Sequence, residues 1–428
     1  MQKINYPFIQ ETIYRGKATS GLEYYIVPKT GFSSVYYELM IPFGYLNNKY
    51  RINSVTKTLP LGVAHFLEHQ MFDSDNAESI ISKFTSLGAE ANAYTTSDIT
   101  AYTASSIENH KEVLNMLLNY VQNPRFTPQT IEKERGIIEQ ELLMYLDNAN
   151  SVLLKGLLKQ LYKLHPIKEE GIGSKSSIAE ISYQHLQEVY STFYHPSKMK
   201  LVVTGGINPQ EINDIIIENQ KELIISPLEK TRHLIPKESL KVKQAKGSIE
   251  MEISTPKIII GFKIPPLQYF GKNKLKTYLL SNIIMEDMLG ISSSIYQEML
   301  DKKIFDTGYF SYINFETNAG YIVIGADSKN PSNFEEYVIS IIPKLQKHLL
   351  TKETFDLKMR SLSGSILRNF DNLEYIAEVI REKIFFKNDI LQNISLLSTF
   401  NYQEAIFLQK YFCTENMSTF IIWPKNKK

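Results

Sequence analysis

The sequence predicts two α+β halves joined by a linker, and three observations carry that prediction. Its 428 residues exceed what one ordinary core needs and suit two domains of roughly 200 residues each. Strand-like and helix-like stretches alternate from one end to the other. A weak internal repeat at an offset of 218 residues sets Phe193-Tyr194-His195-Pro196-Ser197-Lys198-Met199 against Tyr411-Phe412-Cys413-Thr414-Glu415-Asn416-Met417. In both copies a Tyr-Gln pair (Tyr183-Gln184, Tyr402-Gln403) opens a helix, an aromatic pair follows, and a strand ends the half.

The elements follow in chain order. Residues 23–27 and 35–40 read as strands, with Gly21 and Lys29-Thr30-Gly31 as turns. Residues 61–72 read as a helix. Residues 91–94 and 100–105, rich in Thr, Tyr and small side chains, read as paired strands. Residues 110–121 and 129–146 are helices, the second opened by Thr127-Pro128 as cap and first-turn proline. Residues 200–204 form a strand ending in Gly205-Gly206. From about 223 to 244 the pattern lapses into lysines with Pro227 and Pro236, as a linker does. Strands resume at 250–253 and 258–264. The domain reading is therefore 1–222, a linker at 223–249, and a homologous domain at 250–428.

Composition narrows the function. With 47 basic and 46 acidic residues the net charge is +1, so no general field favours nucleic acid or an anionic membrane. Apolar runs are far too short to span a bilayer, and the N-terminus shows no secretory pattern. Cys413 is the only cysteine, which rules out an intrachain disulfide or a thiolate cage. A cytoplasmic location is the expectation.

The segment Gly62-Val63-Ala64-His65-Phe66-Leu67-Glu68-His69-Gln70-Met71-Phe72 carries the chemistry. On a helix, His65 and His69 are an i, i+4 pair whose imidazoles leave one face about a turn apart, a spacing that suits two nitrogens on one Zn²⁺. Glu68 lies beside that metal position without needing to ligate it, where a carboxylate can take a proton from water. With eight histidines in the chain, chance matches to this pattern number on the order of 0.01. A third protein ligand is needed, and helix 129–146 offers Glu132, Glu134, Glu139 and Glu141. At 100° per residue, Glu134 and Glu141 share a stripe with Ile138 and Tyr145, while Glu132 and Glu139 point away. Glu134 and Glu141 are the inward pair if this helix faces the first.

These residues resemble the inverzincin metallopeptidases of the insulinase, pitrilysin and mitochondrial processing peptidase group, which share the His-x-x-Glu-His order. Ile131-Glu132-Lys133-Glu134-Arg135-Gly136-Ile137-Ile138-Glu139-Gln140-Glu141 resembles that family's second signature. The resemblance implies Glu141 as third metal ligand, Glu134 as a supporting acid and Glu68 as catalytic base, with one Zn²⁺ per chain. Gly88-Ala89-Glu90-Ala91-Asn92-Ala93-Tyr94-Thr95 resembles the family's substrate-edge strand, implying that Asn92, Ala93 and Tyr94 hold a peptide as an added strand. The fold it implies is two similar domains, each a mixed or antiparallel sheet flanked by helices, together forming half of a clamshell chamber.

One departure matters. Active single-chain relatives carry an Arg and a Tyr in the second half that bind substrate and stabilise the oxyanion. The corresponding stretch here, from Tyr296 to Tyr309, has no Arg, and both tyrosines read as packing residues. The resemblance then implies a homologous partner subunit supplying the Arg and Tyr, with a homodimer as the alternative. The expected activity is zinc-dependent endopeptidase action on peptides or unfolded segments, in peptide degradation or in leader-peptide removal during bacteriocin maturation. The competing reading is a non-catalytic scaffold subunit of such a pair. The other histidines (His110, His165, His185, His195, His233, His348) lack ligand spacing.

Overall fold

The computed structural model describes residues 1–425 apart from 73–78, 222, 224–227, 271–272, 388, 394–396 and 398–399. Its strands are β1 (Gln2–Tyr6), β2 (Glu11–Lys17), β3 (Glu23–Pro28), β4 (Val35–Ile41), β5 (Lys49–Ile52), β6 (Val55–Thr58), β7 (Ala89–Thr95), β8 (Thr100–Ser106), β9 (Lys200–Gly205), β10 (Thr231–His233), β11 (Lys246–Met251), β12 (Lys257–Ile264), β13 (Thr307–Glu316), β14 (Ala319–Asp327) and β15 (Met417–Pro424). Five helices place the site or its neighbours: α1 (Val63–Phe72), α2 (Ile80–Ser86), α3 (His110–Gln122), α4 (Pro128–Asp147) and α5 (Ala149–Leu161).

In the first unit a seven-stranded sheet runs β1-β2-β3-β9-β4-β8-β7, and in the second a five-stranded sheet runs β11-β15-β12-β14-β13. In chain order, β3, β4, β7, β8 and β9 hold the places that β11, β12, β13, β14 and β15 hold in the second sheet. The first and last strand of each set pair in parallel, and the others are antiparallel. The repeat at offset 218 leads into the last strand of each set, β9 and β15. The chain is thus a doubled α+β fold, as expected, and the β1–β2 hairpin has no counterpart in the second sheet among the described residues.

The units are not contiguous in sequence. The first takes Met1–Leu142, Glu170–Leu234 and Ser365–Ser395, and the second takes Leu143–Glu169, Ile235–Gly364 and Leu396–Lys428. The linear cut at 1–222, 223–249 and 250–428 places residues 143–169 in the first part and 365–395 in the last, where the contacts group each with the other unit. Periodicity reveals that a helix has an apolar face, not which sheet receives it. α5 buries Leu153, Leu157, Leu158 and Leu161 and packs on β11, β12 and β15. Helix Leu373–Arg381 buries Leu373, Ile376, Ala377 and Ile380 and packs on β4 and β9. The stretch read as a linker also contributes structure. Residues 231–233 form β10, antiparallel to β5, and β11 begins at Lys246; residues 222 and 224–227 lie outside the described set.

The core of the first unit sits on one face of its sheet. Tyr37 and Leu39 of β4 and Tyr102 of β8 are fully buried with Phe66 and Leu67 of α1 and Leu114 and Leu117 of α3. Each such side chain contributes about 1.5–3 kcal/mol on leaving water, so this layer fixes where α1 lies. β7 closes one edge of the sheet, and its outer side has no strand partner among the described residues. Side chains alternate along it: Ala91, Ala93 and Thr95 share the α1 face, while Asn92 and Tyr94 share the other.

Candidate metal centre

The local sequence dictates how α1 enters. Gly62 has a φ of +86°, and a Cβ there would lie 2.2 Å from the Ile172 carbonyl oxygen, so only glycine makes this turn. With Phe66 and Leu67 buried against the sheet, His65, Glu68 and His69 are left to face α4. Two buried polar contacts clamp the helices together. Thr130 Oγ1 donates to Gln70 Oε1 at 2.9 Å, and Gln70 Nε2 donates to the Thr130 carbonyl at 3.2 Å. Arg135 extends α4's anchorage, donating to the Ile181 carbonyl at 2.9 Å while lying 5.9 Å from the Phe66 ring centre.

This arrangement brings three donors together. His65 Nε2 lies 3.6 Å from Glu141 Oε1, and His69 Nε2 lies 3.3 Å from Glu141 Oε2. The three ligand atoms sit within 4.8 Å of one another. Two donors each about 2.0–2.1 Å from a tetrahedral Zn²⁺ lie about 3.3 Å apart, so the spacing fits that ion and leaves a fourth position open. Glu134 Oε1 is 2.8 Å from His69 Nδ1. A carboxylate can only accept, so Nδ1 carries a proton and Nε2 is the nitrogen left to ligate a metal once its own proton has gone. His65 Nδ1 is buried without a partner among the described residues, which leaves that ring oriented by packing alone.

Burial and neighbouring charges drive the two histidines in opposite directions. Burial, followed by the charge on His69, pushes His65 down to about 4. Burial also opposes a charge on His69, but its bonds to Glu134 and Glu141 outweigh it and raise the ring to about 9. Burial raises Glu68, against the pull of its bond from Thr95 Oγ1 at 2.5 Å and the nearby His69. Glu68 is only 7% exposed, so its carboxylate is held close to the donors and shielded from bulk water.

Glu134 and Glu141 do lie on the inward stripe of α4, with Ile138 buried between them. Glu132 is exposed and pairs with Arg135 at 2.9 Å. Two residues escaped the sequence reading. Thr95 gives no signal beyond its alternation with Ala93, and Gln70, directly after His69, has no partner recognisable from spacing. The edge-strand trio separates. Ala93 and Asn92 border a cavity of about 350 Å³ shared with Glu68, His69, Phe72 and Lys133. Tyr94 turns to the opposite face and donates to Glu38. Tyr296 and Tyr309 pack together with ring centres 5.1 Å apart, and Tyr309 donates to the Leu289 carbonyl at 2.7 Å.

A doubled α+β fold with a His-x-x-Glu-His helix facing a glutamate helix defines the class of inverted-motif metallopeptidases. Residues 56–175 match the insulinase (peptidase family M16) domain, and residues 180–362 match the peptidase M16 inactive domain. The chain belongs to the M16 family. It is 30% identical over 429 residues to an uncharacterised zinc protease, YmfH, of Bacillus subtilis, covering 100% of both chains. It is 28% identical over 166 residues to a probable β subunit of the Arabidopsis thaliana mitochondrial-processing peptidase, covering 38% of this chain and 30% of that one. Among solved structures, an M16-like peptidase from Alicyclobacillus acidocaldarius superposes with a TM-score of 0.90 at 26% identity, covering 97% of this chain and 99% of that one.

Proposed function

We propose that this chain is the zinc-bearing subunit of an endopeptidase acting on peptides or unfolded segments. The observation that carries the reading is the convergence of one donor atom each from His65, His69 and Glu141 within 4.8 Å of one another, beside a buried Glu68. Bound there, Zn²⁺ supplies a Lewis acid that activates water and polarises the scissile carbonyl. Glu134 keeps His69 in the ligating tautomer. Glu68 accepts the proton of the attacking water and passes it to the leaving amine. Burial, by raising Glu68's proton affinity, brings it closer to the range in which a base also returns its proton. The free edge of β7 receives the peptide as an added strand, with Asn92 and Ala93 beside the cavity and main-chain bonds tolerating varied side chains.

The same site would serve general peptide degradation or leader-peptide removal. The absence of an Arg between Tyr296 and Tyr309 favours a homologous partner that supplies one; a homodimer is the alternative. The competing reading is a non-catalytic scaffold subunit, to which the match of residues 180–362 to an M16 domain described as inactive would be suited; against it, a buried carboxylate beside two histidines costs stability that a scaffold need not bear. The test is Glu68→Gln. It should retain about one zinc per chain and lose hydrolysis of a quenched fluorogenic peptide, in the presence of its partner if one is required. Turnover retained at the wild-type rate would remove Glu68 from the mechanism.

A further inference from the structure

A second cavity, of about 420 Å³, lies in the first unit on the sheet face away from α1. Tyr94 of β7 and Tyr36 of β4 wall it on the sheet side, and Glu374, Glu378 and Arg381 of helix Leu373–Arg381 wall it on the other. Beneath these groups is Glu38, which leaves β4 on the same face as Tyr36 and is 1% exposed. Arg381 Nη1 donates to Glu38 Oε1 at 2.9 Å and also to the Tyr94 hydroxyl, which itself donates to Glu38. Glu38 Oε2 remains buried without a partner among the described residues.

The charge balance of this place is negative. Glu374 and Glu378, with Glu38 beneath them, set three carboxyl groups against the single guanidinium of Arg381, which is already engaged by Glu38 and lies 3.7 Å from Glu378; burial raises Glu38 against the pull of Arg381 and Tyr94. Tyr36 registers the same field: burial, then Glu38 and Glu374, make its phenol harder to ionise. The buried orphan oxygen and the outer pair of carboxylates ask for a further cation. The tyrosine rings of the wall suit one carried on a long aliphatic stem.

The location says what brings that cation. Side chains of a strand added to β7 alternate between the two faces of the sheet. Those on one face meet Ala93 and the metal side. Those on the other stand about 4.5–5.5 Å from their neighbour on β7, beside Tyr94 at the mouth of this cavity. We propose that the cavity is a specificity subsite for a lysine or arginine side chain of the bound peptide, at a position alternate to those that face the metal centre. The proposal rests on the reading of β7 as the peptide-binding edge. Arg381 and Glu38 act here as positioning residues, because they fix Tyr94 and hence the wall past which the basic side chain must run.

The experiment uses zinc-loaded Glu68→Gln full-length chain and fluorescein-labelled nonapeptides of Ala, Val and Ser. A lysine is stepped through the central positions and compared with norleucine and glutamate at each. At one register, lysine should bind about five- to tenfold more tightly than norleucine, and glutamate more weakly than either, with the preference shrinking at high salt. In Glu374→Gln/Glu378→Gln the lysine-to-norleucine ratio should fall towards one. Both glutamates lie on a partly exposed helix face, and circular dichroism verifies that the double variant folds. Lysine and norleucine binding equally at every position would overturn the subsite while leaving the peptidase reading intact. A preference unchanged in the double variant would overturn it as well. If no peptide binds the zinc-loaded chain, with or without the candidate partner added, β7 is not the receiving edge, and the subsite falls with the reading beneath it.

Discussion

Glu134 touches the metal position only through His69, and its removal has a signature that a merely structural residue would not give. The bond from His69 Nδ1 to Glu134 is 2.8 Å long and reaches a carboxylate that is 7% exposed. A hydrogen bond to a buried charge contributes about 1.5–3 kcal/mol net and a neutral one about 0.5–1.5 kcal/mol, so Glu134→Gln costs the ligating state about 1–2 kcal/mol. By itself that weakens zinc about tenfold, at the lower end of the 10–100-fold range typical of groups that orient a ligating histidine. A second effect has the opposite sign. In the metal-free wild type His69 is raised to about 9, so at pH 7 a proton must leave Nε2 before the metal binds. Wild-type affinity should therefore rise about tenfold per pH unit from 7 towards 9 and then level off. Glu134→Gln removes the largest of the influences holding the proton on His69, and its profile should be much flatter. At pH 9 the variant is weaker by about tenfold or more, while near pH 7 the gap narrows or closes. Competition against a chromophoric chelator, buffered at four pH values, measures this directly. Parallel profiles for the two proteins would refute the coupling of Glu134 to His69.

Three further outcomes follow from the same geometry. His65→Ala, His69→Ala and Glu141→Gln should each lose zinc by metal analysis, while Glu139→Gln keeps it, because Glu139 lies on another face of α4 from the stripe that carries Glu141. The isolated zinc-loaded chain should be weakly active and should gain on the order of 10²–10³ in turnover with a homologous partner that supplies an oxyanion donor; full activity alone, unchanged by the partner, would sink the pairing. His233 should make the first unit acid-labile. Its ring stacks on Phe193 at 5.4 Å, and burial followed by the charge of Lys198 pushes it down to about 4. Its folded value lies below the unfolded 6.5, so the neutral ring's contribution is complete above pH 6.5 and is lost as pH falls from 6.5 to 4, about 2–3 kcal/mol in all. Urea titrations at pH 7.5 and 4.5 should show His233→Phe losing less stability on acidification than wild type.

What the sequence made legible was whatever depends on local periodicity. The i, i+4 histidines, the seven-residue spacing of Glu134 and Glu141, and the paired strands read at 91–94 and 100–105, which lie within Ala89–Thr95 and Thr100–Ser106, all follow from the repeat of a helix or a strand. What stayed hidden depends on which surfaces meet. Nothing in the apolar face of α5 names β12 and β15 as its sheet, and nothing in helix Leu373–Arg381 names β4 and β9, so a cut made along the chain separates each from the sheet it packs on. β10 is three residues long and is held by pairing with β5, too short for any pattern to announce it. The resemblance to a substrate-edge strand names Asn92, Ala93 and Tyr94 together, while strand alternation puts Tyr94 on the opposite face from Ala93, where its hydroxyl meets Glu38 and Arg381.

The doubling of the fold also shows which residues of the centre the architecture does not need. Helix Lys274–Leu289 is the first helix between β12 and β13, the place that α1 holds between β4 and β7. It packs through Ile283, Ile284, Met288 and Leu289, as α1 packs through Phe66 and Leu67, but it carries no histidine. The second sheet keeps its strand order regardless. A helix in this position therefore needs an apolar stripe and nothing more. In the first unit His65 and His69 are partly exposed, off that stripe, and Glu68 is buried beside them at a desolvation cost that one bond from Thr95 offsets only in part. The fold gains nothing from three such groups on adjoining turns of one helix. A metal ion bound there would neutralise the cluster and recover part of the cost.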